Sequence, residues 1–129
     1  LMNSGGSINP ISSLIVRKAI DNGSLETHIE FLRHSYRNRV EAMDAALHEH
    51  FEGIAEWTRP NGGYFFWLRF DHSVDTGPLR EKARRVQAGF QDGAVFSSCG
   101  RLNNCLRLCF AHYGEDDIRE GIARLRPLF

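Results

Sequence analysis

A regular apolar stripe through residues 24–51 constrains the fold most. Leu25, Ile29, Leu32, Tyr36, Val40, Met43, Leu47 and Phe51 recur at steps of three or four. That spacing keeps one face of an α-helix turned toward a core. Ser24 suits the N-cap, and Glu26 places a negative charge in the first turn, where the helix dipole favours it. From Leu25 to Phe51 the helix is about 40 Å long at ~1.5 Å per residue. That is long for a chain of 129 residues, and such a helix often bridges two bodies.

Other elements flank it. A Gly/Ser/Asn loop over residues 3–10 closes at Pro10 and leads into a short helix, Ile11 to Ile20, with Leu14, Ile15 and Ala19 placed for packing. Asn22-Gly23 ends that helix, glycine being the usual residue just past a helix terminus. Arg59-Pro60-Asn61-Gly62-Gly63 is a turn that launches Tyr64 to Phe70 as a strand. Tyr64, Phe66, Leu68 and Phe70 alternate with Phe65, Trp67 and Arg69. Both sets are largely apolar, so the strand is expected to be covered on both faces. Gly77-Pro78 opens a helix with Leu79, Ala83, Val86 and Phe90 inward. Ala94-Val95-Phe96 reads as a very short strand, 97–104 as a polar loop, and Cys105 to Ala111 as another strand. Glu115-Asp116-Asp117 begins a last helix, with Ile118, Ile122 and Leu125 inward until Pro127. Two or three short strands packed on one side of several helices make an α+β domain.

Composition excludes some classes. Sixteen basic side chains balance sixteen acidic ones, which argues against a nucleic-acid binder that relies on a basic excess. No apolar run approaches the ~18 residues of a membrane span. No secretory leader is expected, so the chain is assigned to the cytoplasm. Cys99, Cys105 and Cys109 are odd in number and lack a C-x-x-C pair, so they are expected as buried free thiols and not as a disulfide or zinc set. The opening Leu1-Met2, followed at once by loop-like sequence, is expected of a piece cut from a longer protein.

Arg107 is the oddity. It interrupts the apolar run Asn104-Cys105-Leu106-Arg107-Leu108-Cys109-Phe110. Arginine keeps its charge in proteins, and burying it alone is costly. Three readings stay open. Its stem lies along apolar surface with the head in water, it pairs with a structural carboxylate, or it receives the carboxylate of a small acid through two parallel hydrogen bonds.

Other motifs read more plainly. Arg33, Arg37 and Arg39 are interleaved with Glu26, Glu30, Glu41 and Asp44, as on a solvated helix face. His48 and His50 point to different helix faces, poor spacing for one metal, and no metal site is expected. Gly62-Gly63 reads as a turn before an anion cradle. Gly5-Gly6-Ser7 matches no phosphate loop. Lys18 and Lys82, the only lysines, lie in exposed helical settings unsuited to covalent catalysis.

Taken together, four segments resemble one family. They are Leu25-Glu26-Thr27-His28-Ile29 with Leu32-Arg33, Tyr36, Arg39, Ala42-Met43 and Ala46-Leu47; Pro60-Asn61-Gly62-Gly63-Tyr64-Phe65-Phe66-Trp67-Leu68; Phe90-Gln91-Asp92-Gly93-Ala94-Val95-Phe96; and Asn104-Cys105-Leu106-Arg107-Leu108-Cys109-Phe110-Ala111 with Ile118, Glu120-Gly121-Ile122 and Arg124-Leu125. In order and spacing they resemble the C-terminal small domain of fold type I, class I/II pyridoxal-phosphate-dependent aminotransferases, the 2-aminoadipate and kynurenine aminotransferase-like group. Asp92 stands where that family commonly has proline.

The resemblance implies a long helix and a small, mostly antiparallel sheet covered by helices. It implies residues 1–23 as an interdomain loop and short helix and 24–129 as the small domain, with the pyridoxal-phosphate-binding large domain outside this sequence. It puts Arg107 at the position that grips the α-carboxylate of amino-acid and 2-oxo-acid substrates. It brings the loop holding Gly6 and Asn9 toward the partner subunit's site in a homodimer. The cofactor's lysine is not among these residues, so they are not expected to transaminate alone, whereas the parent is. A lyase or a transcriptional regulator with the same domain, and a non-catalytic α+β module that dimerises or binds a partner, are the alternatives.

Overall fold

Asn9 and Pro10 start the first helix in the computed structural model, which describes residues 9–129. Helix α1 is Pro10–Asp21. The Asn9 side-chain oxygen accepts from the backbone N–H of Ile11 at 3.0 Å and of Ser12 at 3.4 Å, serving two N–H groups that a helix start leaves without partners. None of the apolar residues of α1 is buried, and Ile11, Leu14 and Ile15 are each about two-thirds exposed.

Helix α2 is Ser24–Phe51. Gly23, at φ +75°, makes the break before it, a conformation glycine takes without steric cost. Ser24 is not the N-cap: it is the first helical residue, and its hydroxyl donates to the Ala19 carbonyl at 3.3 Å. The described residues divide within this helix into two compact units, one ending at Ser35 and the other Tyr36–Phe129. In the first, Ile29 and Phe31 are exposed. In the second, the expected stripe is buried through Val40, Met43, Leu47 and Phe51.

The second unit holds four strands: β1 (Ala55–Trp57), β2 (Phe65–Phe70), β3 (Gln91–Asp92) and β4 (Cys105–Cys109). They form one antiparallel sheet in the order β1-β2-β4-β3. Helices α3 (Leu79–Arg85) and α4 (Glu115–Leu125) complete it, with single 3-10 turns at Gly93–Phe96 and Arg126–Leu128. The architecture is α+β, as expected.

One sheet face makes the core. Phe66, Leu68, Phe70, Leu106 and Leu108 pack with Val40, Met43, Leu47 and Phe51 of α2, Ala83 of α3, and Ile118, Ile122 and Leu125 of α4. The helix spacings and the strand alternation supply complementary apolar faces, and burying them drives the packing.

Four local expectations are corrected. β2 is not covered on both faces: Phe65 and Arg69 are exposed and Trp67 is half-buried. Ala94-Val95-Phe96 is not a strand but the body of the 3-10 turn, and the strand lies just before it at Gln91–Asp92. α3 stops at Arg85, leaving Val86 as its C-cap and Phe90 beyond it. Of the three free cysteines only Cys105 is buried.

Candidate functional site: Arg107 on the open face of the sheet

Strand pairing places Arg107 opposite Trp67 on β2 and opposite Gln91 on β3. Directly paired residues share a face, so Arg107 lies with Phe65, Trp67 and Arg69 on the side away from the core. Its guanidinium carbon lies 3.9 Å from the centre of the Phe65 ring and 4.6 Å from that of Phe96. Both distances suit a cation over an aromatic face. Phe96 is in turn met edge-on by Trp67 at 5.5 Å, and Phe65 by Tyr64 at 6.4 Å.

Among the described residues no carboxylate pairs with Arg107. Ion pairs among the described residues join Arg80 to Asp92, Arg59 to Glu41 and several exposed i, i+3 or i, i+4 partners, and none includes Arg107. No hydrogen bond within the described chain uses its N–H groups either. Arg107 is half-buried on the face of a sheet, held by aromatic carbon, with its donors left over. A guanidinium so placed can receive a carboxylate through two parallel N–H···O bonds.

The segments around it are fixed from several sides. Gly93, which opens the Phe96 turn, admits no side chain: a Cβ there would lie 2.2 Å from the Leu102 carbonyl oxygen and 2.8 Å from the Cys105 Cβ. Asp92 is buried, and its carboxylate receives Arg80 Nη1 at 3.1 Å. Thr76 is fully buried, with its hydroxyl 2.9 Å from the Asn103 carbonyl and 2.7 Å from that of Cys105. Asn104 donates from its side chain to the Phe70 carbonyl at 2.6 Å. Arg39 donates to the Ala111 carbonyl just past β4. A groove of about 670 Å³ between β4, residues 87–91 and α4 also reaches Arg107, but it is lined by core-side residues such as Met43, Leu108 and Ile122 and not by Phe65 or Phe96.

Not every expected site residue falls here. Asn9 is described only as the cap of α1, and Gly6, with the rest of Gly5-Gly6-Ser7, lies outside the described residues. His48 meets Trp57 edge-on at 5.0 Å, and no group of three possible metal ligands occurs among the described residues. Of the arginine cluster, Arg33 and Arg37 are exposed. Sequence reasoning missed Phe65 and Phe96. Alternation could place Phe65 on one face with Trp67, but could not show that this face meets Arg107 of β4.

The fold and this arginine define the class: a small α+β domain with a cation on the open face of its sheet. No family profile matches the chain. It is 35% identical over 117 residues to aromatic-amino-acid aminotransferase 1 of Thermococcus litoralis, covering 91% of this chain and 28% of that protein. Its fold superposes on LysN, the α-aminoadipate aminotransferase of Thermus thermophilus, with a TM-score of 0.81 and 29% identity, over 88% of this chain and 29% of that one; that structure holds N-(5'-phosphopyridoxyl)-L-leucine. An uncharacterised HTH-type transcriptional regulator, YdfD of Bacillus subtilis, is 26% identical over 89% of this chain and 23% of the regulator. The chain therefore spans under a third of the length of the curated relatives it matches. The aminotransferases among these relatives and structural neighbours match it over one segment of their length, and that segment has the α+β small-domain fold.

The residues present do not themselves fit pyridoxal phosphate. A Schiff base needs a lysine in an enclosed setting, and Lys18 on α1 and Lys82 on α3 are both exposed. No helix among the described residues is long and apolar enough to cross a membrane.

Proposed function

We propose that this chain is the C-terminal small domain of an aminotransferase, residues 24–129 forming the domain and 1–23 the approach to it, and that Arg107 binds the α-carboxylate of the amino-acid donor and of the 2-oxo-acid acceptor. The observation that carries the reading is a cation held on the open sheet face with no anionic partner among the described residues. The bare aromatic face and the exposed apolar residues of α1 also support it, because a large domain would cover such surfaces. Pyridoxal phosphate and its lysine then belong to the complete enzyme, which acts in the cytoplasm as a homodimer. What these residues supply is a fixed positive charge and closure against water.

Replacing Arg107 tests it. Losing one side of a charged, desolvated contact costs roughly 2–5 kcal/mol. Arg107→Ala in the complete enzyme is therefore expected to raise KM about 30-fold or more for donor and acceptor alike. Arg107→Lys should fall between, since an ammonium cannot make the paired hydrogen bonds. An unchanged KM for either substrate overturns the assignment.

A second reading has one observation behind it, the likeness to an HTH-type regulator. In that case the arginine reads an amino acid without turning it over. The coding sequence upstream of Leu1 separates the two: a large domain alone favours the enzyme, and a DNA-binding region before it favours the regulator.

A further inference from the structure

We infer that Phe65 and Phe96 are positioning residues for Arg107, forming a two-ring brace that holds its guanidinium ready for a carboxylate. The inference rests on the assignment of Arg107 above and goes beyond it by naming what aims the charge. A free arginine side chain samples many rotamers, and a ligand that fixes them loses affinity by the cost of ordering. Here the ordering is done before the ligand arrives. The two rings contact the guanidinium carbon at 3.9 and 4.6 Å, and aromatic carbon cannot take up its N–H donors as hydrogen-bond acceptors of the usual kind. The brace thus steadies the charge without using the groups that the ligand needs. A carboxylate in the same place would steady it too, but would occupy those donors.

The rings come from two separate elements, and each is backed. Phe65 opens β2 and touches Tyr64, which touches Tyr36 of α2 at 5.4 Å. Phe96 closes the 3-10 turn and rests on Trp67. That turn is tied at its start by Gly93 and by the Arg80–Asp92 pair. Asp92, where the resemblance leads one to expect proline, thus anchors the strand that leads into the turn carrying Phe96. Phe65 and Phe96 are 40% and 44% exposed, too open for either to be a core residue, so changing them should leave the fold standing.

Pyruvate is a suitable probe, because it offers a 2-oxo-acid carboxylate and almost no side chain. Its dissociation constant is measured by calorimetry in the complete protein, alongside the melting temperature. Phe96→Leu keeps apolar bulk but removes the ring. It is expected to weaken pyruvate about three- to tenfold, the range for freeing one rotamer-rich side chain. The melting temperature should stay within a few degrees, because leucine keeps the apolar bulk against whatever covers this face. Phe96→Tyr restores the ring and should restore binding to within about twofold. If Arg107→Ala abolishes binding but Phe96→Leu binds as the parent does, the brace is overturned and the Arg107 assignment stands. If Arg107→Ala leaves pyruvate binding intact, that assignment falls and the brace with it. If Phe96→Leu lowers the melting temperature sharply and Phe96→Tyr fails to rescue binding, the ring is structural and the inference is wrong.

Discussion

Replacing Gly93 with alanine should damage this domain far more than its position between a two-residue strand and a short turn suggests. The added Cβ would sit 2.2 Å from the Leu102 carbonyl oxygen, 2.8 Å from the Cys105 Cβ and 2.9 Å from the Cys105 carbonyl oxygen. The first distance is more than an ångström inside ordinary van der Waals contact. Neither neighbour yields easily. The Leu102 carbonyl already accepts from Cys105 N–H at 3.1 Å, and Cys105 begins β4 in register with Arg69. Overpacking typically costs 1–3 kcal/mol, and backbone on two sides puts this case near the top, about 3 kcal/mol. For a domain of this size that corresponds to a melting-temperature loss of roughly 12 °C. Gly121→Ala is the internal control. It lies within α4 with nothing near its Cβ position, and alanine there should be neutral or stabilising by up to ~1 kcal/mol. Thermal melts followed by circular dichroism on the two variants decide the matter. A Gly93→Ala chain that melts within about 2 °C of the parent refutes the close-packing argument.

Two further outcomes follow from the polar contacts. In the Arg80–Asp92 pair the carboxylate is 8% exposed and the guanidinium 36%. Arg80→Met strands the buried charge, whereas Asp92→Asn frees an arginine that reaches water. Urea unfolding should therefore show the arginine change costing about 1–2 kcal/mol, after allowance for screening, and the aspartate change less; the opposite order sinks the account. Asp71 is fully exposed, and the Ser73 backbone N–H and then the Ser73 hydroxyl hold its carboxyl below the usual 3.8. A depressed carboxyl contributes stability above its unfolded value and loses it as pH falls through its folded value. NMR titration should place Asp71 below an ordinary aspartate, and Ser73→Ala should move it part of the way back. No movement would remove the hydroxyl from the explanation.

Much of the fold was legible because it is locally encoded. The steps of three and four from Val40 to Phe51 are a helix whatever surrounds them, and Pro60-Asn61-Gly62-Gly63 announces β2 from its own turn chemistry. Arg107 was legible as a misfit in its strand. What escaped depends on partners distant in sequence. Ala55-Glu56-Trp57 is too short for a period and becomes β1 only by pairing with Leu68 to Phe70. Ala94-Val95-Phe96 has strand-like composition, but the contact of Gly93 with Leu102 and Cys105 goes with a tight turn instead. Alternation told which residues share a face with Phe65, but not that this face is open. The two rings meet Arg107 through the β2–β4 register and the turn after β3, neither of which local sequence states.

The sheet ends in stubs on both sides, three residues in β1 and two in β3. Long unpaired edges invite further strands and fibre growth, and stubs this short give an incoming strand little to extend along. Self-association of the chain should therefore run through its exposed side chains, the aromatic face and the apolar residues of α1, and not through added strands. Its products should be small discrete assemblies, not filaments.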